Sequence, residues 1–364
     1  MKRKTIVIYT GGSRGGFLSI AQAISQTLTE DFAVHIYQEK DEKAYLPFYR
    51  LFPGLFKIPY LLSQNSQMLQ LAETIFRSQY STKQRQFFLK HQPDLCISTY
   101  FIATSNMTHI MKERQTPFIN VLTDPKSIHP LLLAAHADIN FVFDQKSVAA
   151  AQKFLPDGKF ATVGWFVRDE FEQEYDKKII RKQLQLNPDT LTFLIAAGSE
   201  GTNTVLSILP LLMTSLTPLQ IVVACGKNRT MLKTVSILAS TLRKLKSRVT
   251  LIPITFTNNM HLYMQAADLV VGKAGPNTVF ESVATRTPFF AITHIAGQED
   301  GNLDLIREYH LGYVEENPFL AAKLLKHIVK QPRNLKKFQP YLEKLGLYNR
   351  EAKRHLRETV QTLV

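Results

Sequence analysis

The chain has 364 residues, 45% hydrophobic and 20% charged, with 44 Lys and Arg against 30 Asp and Glu and a formal net charge of +14. At about 150 residues per domain this predicts two domains, each able to bury its own core, and the ordinary apolar content excludes a disordered or fibrous chain. Two cysteines, Cys96 and Cys225, without CxxC spacing exclude a disulfide framework and a zinc ribbon.

The basic start Met1-Lys2-Arg3-Lys4 mimics a secretory leader, but glycines at once interrupt the short apolar run behind it. The longest apolar stretch, 131–143, is broken by His136 and Asp138, so no spanning helix is expected, and a reducing compartment is. The basic excess fits an anionic lipid surface, nucleic acid or a phosphate-bearing small molecule, or solubility alone.

In chain order, 4–9 reads as a strand, followed by a glycine-rich turn and a helix over 17–29. Further strands are predicted at 32–38, 94–98, 117–121 and 138–143, with a helix over 146–154. A charged, strand-poor stretch, 164–189, is the expected linker. The pattern then restarts with a strand at 191–197, a glycine turn and a helix. Strands at 220–224, 249–254, 268–271 and 288–292 follow, the first two separated by a long basic helix. From Pro318 onward the chain reads as helical. Alternation of strands and helices predicts an α/β fold with two doubly wound, Rossmann-like parallel sheets, their carboxyl edges facing a cleft.

Gly11-Gly12-Ser13-Arg14-Gly15-Gly16 follows the first strand. It lacks both the G-x-G spacing of a dinucleotide fingerprint and the Gly-Lys-Ser/Thr of a P-loop. It therefore reads either as a tight turn or as an anion-accepting helix start. Gly198-Ser199-Glu200-Gly201 offers the same two readings in the second half. The strongest segment is 271–281. Lys273 places a cation in the loop, Gly275 permits close backbone approach, and Pro276 suits the first helical position and aims the donors of Asn277 and Thr278 outward. That is a diphosphate site, and Glu281, one helical turn on, can accept the hydroxyls of a ribose. In 295–302, Gln298, Glu299 and Asn302 combine donors and acceptors suited to sugar hydroxyls, or simply make a polar helix start.

The run Lys-Ala-Gly-Pro-Asn-Thr-Val-Phe-Glu-Ser at 273–282, with Ala-Gly-Gln-Glu-Asp-Gly-Asn at 296–302, resembles the monogalactosyldiacylglycerol synthases. It is also similar to the processive diacylglycerol glucosyltransferases and, more distantly, to the peptidoglycan enzyme that glycosylates lipid I. The resemblance is dense over 191–314. It is thinner in the first half, at 11–16, Thr123-Asp124 with His129-Pro130, and Gly164 with Val167-Arg168.

It implies the two-domain GT-B arrangement and inverting, metal-independent transfer from a UDP-sugar, with no cofactor beyond that co-substrate. By matching positions it implies that Gly198, Ser199 and the turn Gly275, Pro276, Asn277, Thr278 touch the diphosphate. Gly226 and Lys227 would lie near the nucleotide, and Phe256 and Met260 would mark the segment whose backbone reads uracil. Glu281 would bind ribose, and Gln298 and Glu299 the donor sugar. The acceptor would lie by Gly15, Gly16 and position 17. There the family carries a histidine, a leading candidate for the general base; this chain has Phe17. Asp124 and His129 are the first substitutes for the proton-accepting role, with His294 third.

The domains expected on this basis are an acceptor- and membrane-binding domain over 1–163, the linker 164–189, a UDP-sugar domain over 190–345, and a terminal helix over 346–364 packing back on the first domain. The aromatic and leucine-rich segment 45–60, with Tyr49, Arg50, Phe52, Phe56 and Lys57, suits insertion into a headgroup layer, or else an inward-packed loop. Nucleic acid is not expected, because no stacking platform or groove-reading motif is present. The expected protein is a cytoplasmic enzyme, peripheral on the inner face of the cell membrane. It would move a hexose from a UDP-hexose to a lipid hydroxyl, diacylglycerol first. A non-catalytic nucleotide-sugar or lipid-binding protein, and a UDP-sugar epimerase or hydrolase, stay open.

Overall fold

A computed structural model describes residues 3–11, 16–39, 61, 64–65, 82–100, 111, 115–196 and 203–364. They form two compact units. The first comprises Met1–Asp169, Ile295–Asn302 and Leu347–Val364, and the second Glu170–His294 and Leu303–Gly346.

The first unit is built on β1 (Thr5–Thr10), β2 (Ala33–Gln38), β3 (Leu95–Ser98), β4 (Phe118–Val121), β5 (Ile139–Val142) and β6 (Phe160–Thr162). All pair in parallel, in the order β2-β1-β3-β4-β5-β6. Ile6, Val7, Ile8 and Tyr9 are successive and all fully buried, the mark of a strand covered on both faces. The helix Gly16–Leu28 presents Ile20, Ala21, Ala23, Ile24 and Leu28 at helical spacing and packs on β1 and β2.

The second unit repeats the plan with β7 (Thr192–Ala196), β8 (Leu219–Ala224), β9 (Val249–Ile254), β10 (Leu269–Lys273), β11 (Phe289–Thr293) and β12 (Gly312–Val314), in the order β12-β11-β10-β7-β8-β9. Each sheet therefore reverses its winding beside its first strand. Ligands of open parallel sheets bind at such a switch, outside the carboxyl ends of the strands.

Three features differ from the sequence reading. The strands β6 and β12 have three residues each and lie at sheet edges, where pairing rather than composition defines them. Residues 164–189 are not an open connection, since they form the helices Asp169–Glu172 and Lys177–Gln183. Arg181, buried, donates through Nε to Ala266 O at 2.9 Å and through Nη2 to Asp268 Oδ2 at 2.7 Å, while Lys177 reaches Asp268 Oδ1 at 2.8 Å. That network ties the stretch into the second unit. Third, the segment 295–302, expected in the nucleotide-sugar domain, belongs to the first unit.

The final helix, Gln339–Leu363, contributes Leu347–Val364 to the first unit. There Asn349 Oδ1 accepts the Trp165 N–H at 3.1 Å, the Tyr348 hydroxyl donates to Phe143 O at 2.7 Å, and Arg357 Nε donates to Thr27 O at 2.9 Å. Among the described residues no helix is long and apolar enough to cross a membrane.

Candidate functional site

The carboxyl edge of the second sheet carries most of the expected site. Lys273 ends β10 just past a register shift, which sets it opposite Thr293 of β11. The Ala274 N–H donates to Thr293 O at 2.8 Å and the Gly275 N–H to Lys273 O at 2.7 Å, so the turn is folded tightly onto the strand end. Gly275 then caps the helix Pro276–Ala284 with extended backbone and no side-chain capping bond, and Pro276 holds the first helical position. The first intrahelical bond runs from the Val279 N–H to Gly275 O. The Asn277 and Thr278 N–H groups are thus first-turn donors that the helix cannot satisfy, at its positive end. Asn277 and Glu281 lie one helical turn apart and are both half-buried, which puts the carboxylate on the face below the turn.

Next along the edge, Gly226 takes a left-handed φ of 56° after β8, and Lys227 is exposed. Lys227 Nζ stands 4.9 Å from the ring centroid of Phe256, which follows β9 and is 53% exposed. An exposed aromatic with a cation on its face is a ready stacking surface for a planar base. Met260 opens the helix Met260–Ala266 just beyond. Cys225 is buried beneath this edge, and burial pushes its thiol pKa up to about 11. His294 leaves β11 immediately after Thr293, and its Nδ1 meets Glu316 Oε1 at 2.6 Å.

The segment 295–302 is folded on itself. Glu299, 4% exposed, accepts the Ile295 N–H on Oε2 at 2.7 Å, and Asp300 accepts the Gly297 N–H at 2.7 Å. Glu299 therefore closes its own loop, and Asn302 is buried beside it, so of the three expected sugar readers Gln298 is the one left half-exposed. The Gly301 N–H donates to Ser127 Oγ at 3.0 Å, and a Cβ at Gly301 would stand 2.6 Å from Lys126 Cβ. Only glycine permits that approach.

In the first unit, Asp124 and His129 lie in one loop after β4, 6% and 5% exposed. The loop is pinned from below: Lys126 pairs with Asp144 at 2.6 Å, and Ser147 Oγ donates to Pro125 O at 2.5 Å. His129 Nδ1 accepts the Leu131 N–H at 3.2 Å and so caps the short turn Pro130–Leu132. Asn120 and Asn140, neighbours on β4 and β5, hold the next stretch. Asn120 Nδ2 donates to Leu132 O and Asn140 Oδ1 at 2.8 Å, and Asn140 bonds both the N–H and the carbonyl of Ala134.

Gly16 and Phe17 open the first helix, and the Phe17 ring lies 5.1 Å from that of Tyr100, edge to face. Gly11 makes room for the same Tyr100 ring. Phe17 is thus packed against the core cluster of Tyr9, Cys96 and Tyr100. Gly15, Gly198, Ser199, Tyr49, Arg50, Phe52, Phe56 and Lys57 lie outside the described residues. Glu316, Ser127, Asn120 and Asn140 escaped sequence reasoning. Glu316 follows an unpredicted strand, and the others show their roles only through long-range bonds.

Residues 20–164 match the family model of monogalactosyldiacylglycerol (MGDG) synthase, and residues 192–304 that of the glycosyltransferase family 28 C-terminal domain. A probable monogalactosyldiacylglycerol synthase 3 of rice, Oryza sativa subsp. japonica, is 27% identical over 261 residues, which is 68% of this chain but 50% of that protein. The chain thus spans about half the length of that relative. A processive diacylglycerol beta-glucosyltransferase of Staphylococcus saprophyticus is 22% identical over 92% of this chain and 87% of its own. Among solved structures, Acinetobacter baumannii MurG superposes with a TM-score of 0.62 at 13% identity, covering 99% of each chain. Anabaena HepE in complex with UDP-glucose does so with 0.54 at 13% identity, covering 98% and 99%. These likenesses fix the fold as GT-B. The chain is therefore similar in its first half to MGDG synthase and in its second half to the C-terminal domain of glycosyltransferase family 28.

Proposed function

We propose that this protein transfers a hexose from a UDP-sugar to a lipid hydroxyl, that of diacylglycerol, with inversion at the anomeric carbon, while docked on an anionic membrane face. The observation that carries the proposal is the turn from Lys273 to Thr278: a cation and first-turn amide donors gathered at a helix N-terminus outside a parallel strand. As the bond between sugar and nucleotide breaks, negative charge builds on the leaving diphosphate, and fixed donors aimed at that charge lower the barrier. Glu281, one turn below, has the reach and acceptor pair for a ribose. The Phe256 ring with Lys227 on its face offers the base a platform.

UDP-glucose is bound by the similarly folded HepE, and the relatives named above are diacylglycerol glycosyltransferases and MGDG synthases. Both facts support this donor and acceptor. The net charge of +14 supports an anionic lipid face, each basic group near it adding about 1 kcal/mol.

The test has two arms. Mass spectrometry of lipids from cells expressing the chain should reveal a new hexosyl lipid, and Glu281→Ala should weaken UDP about 10-fold or more without unfolding the chain. Unchanged UDP affinity would remove Glu281 from the site. A second reading, a binding protein without turnover, is favoured by Phe17, whose ring fills the position of the family histidine. UDP binding with no transfer to any lipid would establish it.

A further inference from the structure

The second unit holds a cleft at the opposite edge of its sheet from the Lys273 turn. The cleft has a volume of about 250 Å³ and is walled from four places in the chain. Tyr175 and its neighbours come from the stretch between the helices Asp169–Glu172 and Lys177–Gln183, and Gln265 from the end of Met260–Ala266. Arg286 follows the helix Pro276–Ala284, and Gln339 opens the last helix. Thr287, also in the wall, stands two residues before β11, which places the cleft at the amino edge. The helix Pro276–Ala284 separates the two places: its start carries the Lys273 turn, and its last residue lines the cleft about 12 Å along the axis.

The charges of the wall are already matched. Arg286 Nη2 donates to Glu174 Oε1 at 2.6 Å, and Lys177 Nζ to Asp268 Oδ1 at 2.8 Å. A phosphate or carboxylate would have to compete with those carboxylates, so the cleft is a poor anion site. Its remaining capacity is neutral. Gln265 Nε2 donates to Gln173 O at 2.6 Å, Gln339 Nε2 to Arg286 O at 3.1 Å, and the Tyr175 hydroxyl to Gln173 Oε1 at 2.5 Å. Each bond uses one end of an amide and fixes the direction of the other. Gln173 Nε2 is left as a donor, and Gln265 Oε1 and Gln339 Oε1 as acceptors, with no other bond among the described residues. The Tyr175 ring, 41% exposed, adds an apolar wall.

We propose that this cleft binds a neutral sugar of one hexose ring, at a site separate from the nucleotide turn. Each sugar hydroxyl both donates and accepts, which suits amides that hold a donor and acceptors in fixed directions around one space. The C–H face of the ring is apolar and lies against Tyr175. At about 250 Å³ the cleft falls below the roughly 300–1,000 Å³ of drug-sized pockets, so it takes a single ring and not a nucleotide sugar. The ligand is a free sugar or the headgroup of a glycolipid, which present the same hydroxyls. The inference is independent of the transfer reaction, since none of these residues belongs to the Lys273 turn.

Saturation-transfer NMR with methyl β-glucoside and methyl β-galactoside tests it on the full chain. At least one should bind saturably, with a dissociation constant of roughly 1–10 mM, and saturating UDP should not displace it. Tyr175→Ala and Gln339→Ala change exposed side chains. Each should weaken the sugar about fivefold or more, with UDP affinity and urea unfolding unchanged. Phosphatidylcholine vesicles with and without hexosyl-diacylglycerol then compete for the site. Displacement by the glycolipid vesicles alone assigns a lipid headgroup, and no displacement assigns a free sugar. Absence of a saturable signal with either glycoside up to about 50 mM would overturn the inference. So would binding that UDP or Glu281→Ala abolishes and Tyr175→Ala leaves intact. A chain that binds the sugar through Tyr175 and binds no UDP would sink the transfer reading alone.

Discussion

The loop after β4 and the turn after β10 begin alike, as polar connections leaving the carboxyl end of a parallel strand, and end differently. In the first, Asp124 and His129 are buried, Lys126 is paired with Asp144, and two asparagines tie the following backbone to the sheet. In the second, Lys273, Asn277, Thr278 and Glu281 are half-exposed, and the helix start carries donors that its own backbone cannot use. The contrast separates scaffold from site. Polar groups tied up in internal hydrogen bonds hold a shape, and a cation with first-turn donors gathered at a helix start suits an anionic ligand.

Substitutions in the two regions should therefore divide cleanly between stability and binding. The largest effect is expected from Asn140→Ala, which strands buried groups of Asn120 and Ala134. It should cost about 3 kcal/mol in urea unfolding, and a loss under 1 kcal/mol would show that the asparagine pair is not what holds the β4 loop. Next comes Asp268. Burial opposes its charge, but Lys177, Arg181 and the Thr192 N–H outweigh burial and hold its carboxyl below the ordinary value. A depressed pKa gives stability that is present above the ordinary carboxylate pKa near 4 and is lost as pH falls through the folded value. Asp268→Asn should thus destabilise by about 2 kcal/mol at pH 7, discounted for the partial exposure of Lys177. The gap to wild type should close in acid, and a gap independent of pH would contradict the ion-pair account.

On the binding side, Lys273→Ala should weaken UDP about tenfold, roughly 1.4 kcal/mol, and leave urea unfolding unchanged. An unfolding shift with intact UDP affinity would make Lys273 scaffold. The smallest effect is expected at Cys225. Its buried thiol, raised to about 11, should resist a maleimide at pH 8 in the native chain and react on unfolding. Rapid native labelling would show that the β8 edge opens.

Much of this division was legible in the sequence. Apolar runs such as 191–197 and 220–224 announced buried parallel strands, and Gly275-Pro276 after Val271-Gly272-Lys273 announced the helix start, because both signals are local. Non-local bonds were hidden. The three-residue β6 and β12 exist through pairing, so Glu316 could not be placed at a strand end or matched with His294. Glu299 reads as a sugar contact by composition, yet its carboxylate folds back on the Ile295 N–H, four residues away. Nothing in 295–302 announces its place in the first unit, which depends on the contact of Gly301 with Lys126 and Ser127.

The claim beneath the whole account is that the helix start at 275–278, with Lys273, receives a diphosphate. Isothermal titration of UDP into the wild-type chain and the Lys273→Ala chain tests it most directly. The account predicts saturable one-to-one heat with the wild type and a dissociation constant about tenfold higher in the variant. Absence of heat in the wild type, or identical constants in both chains, would contradict it.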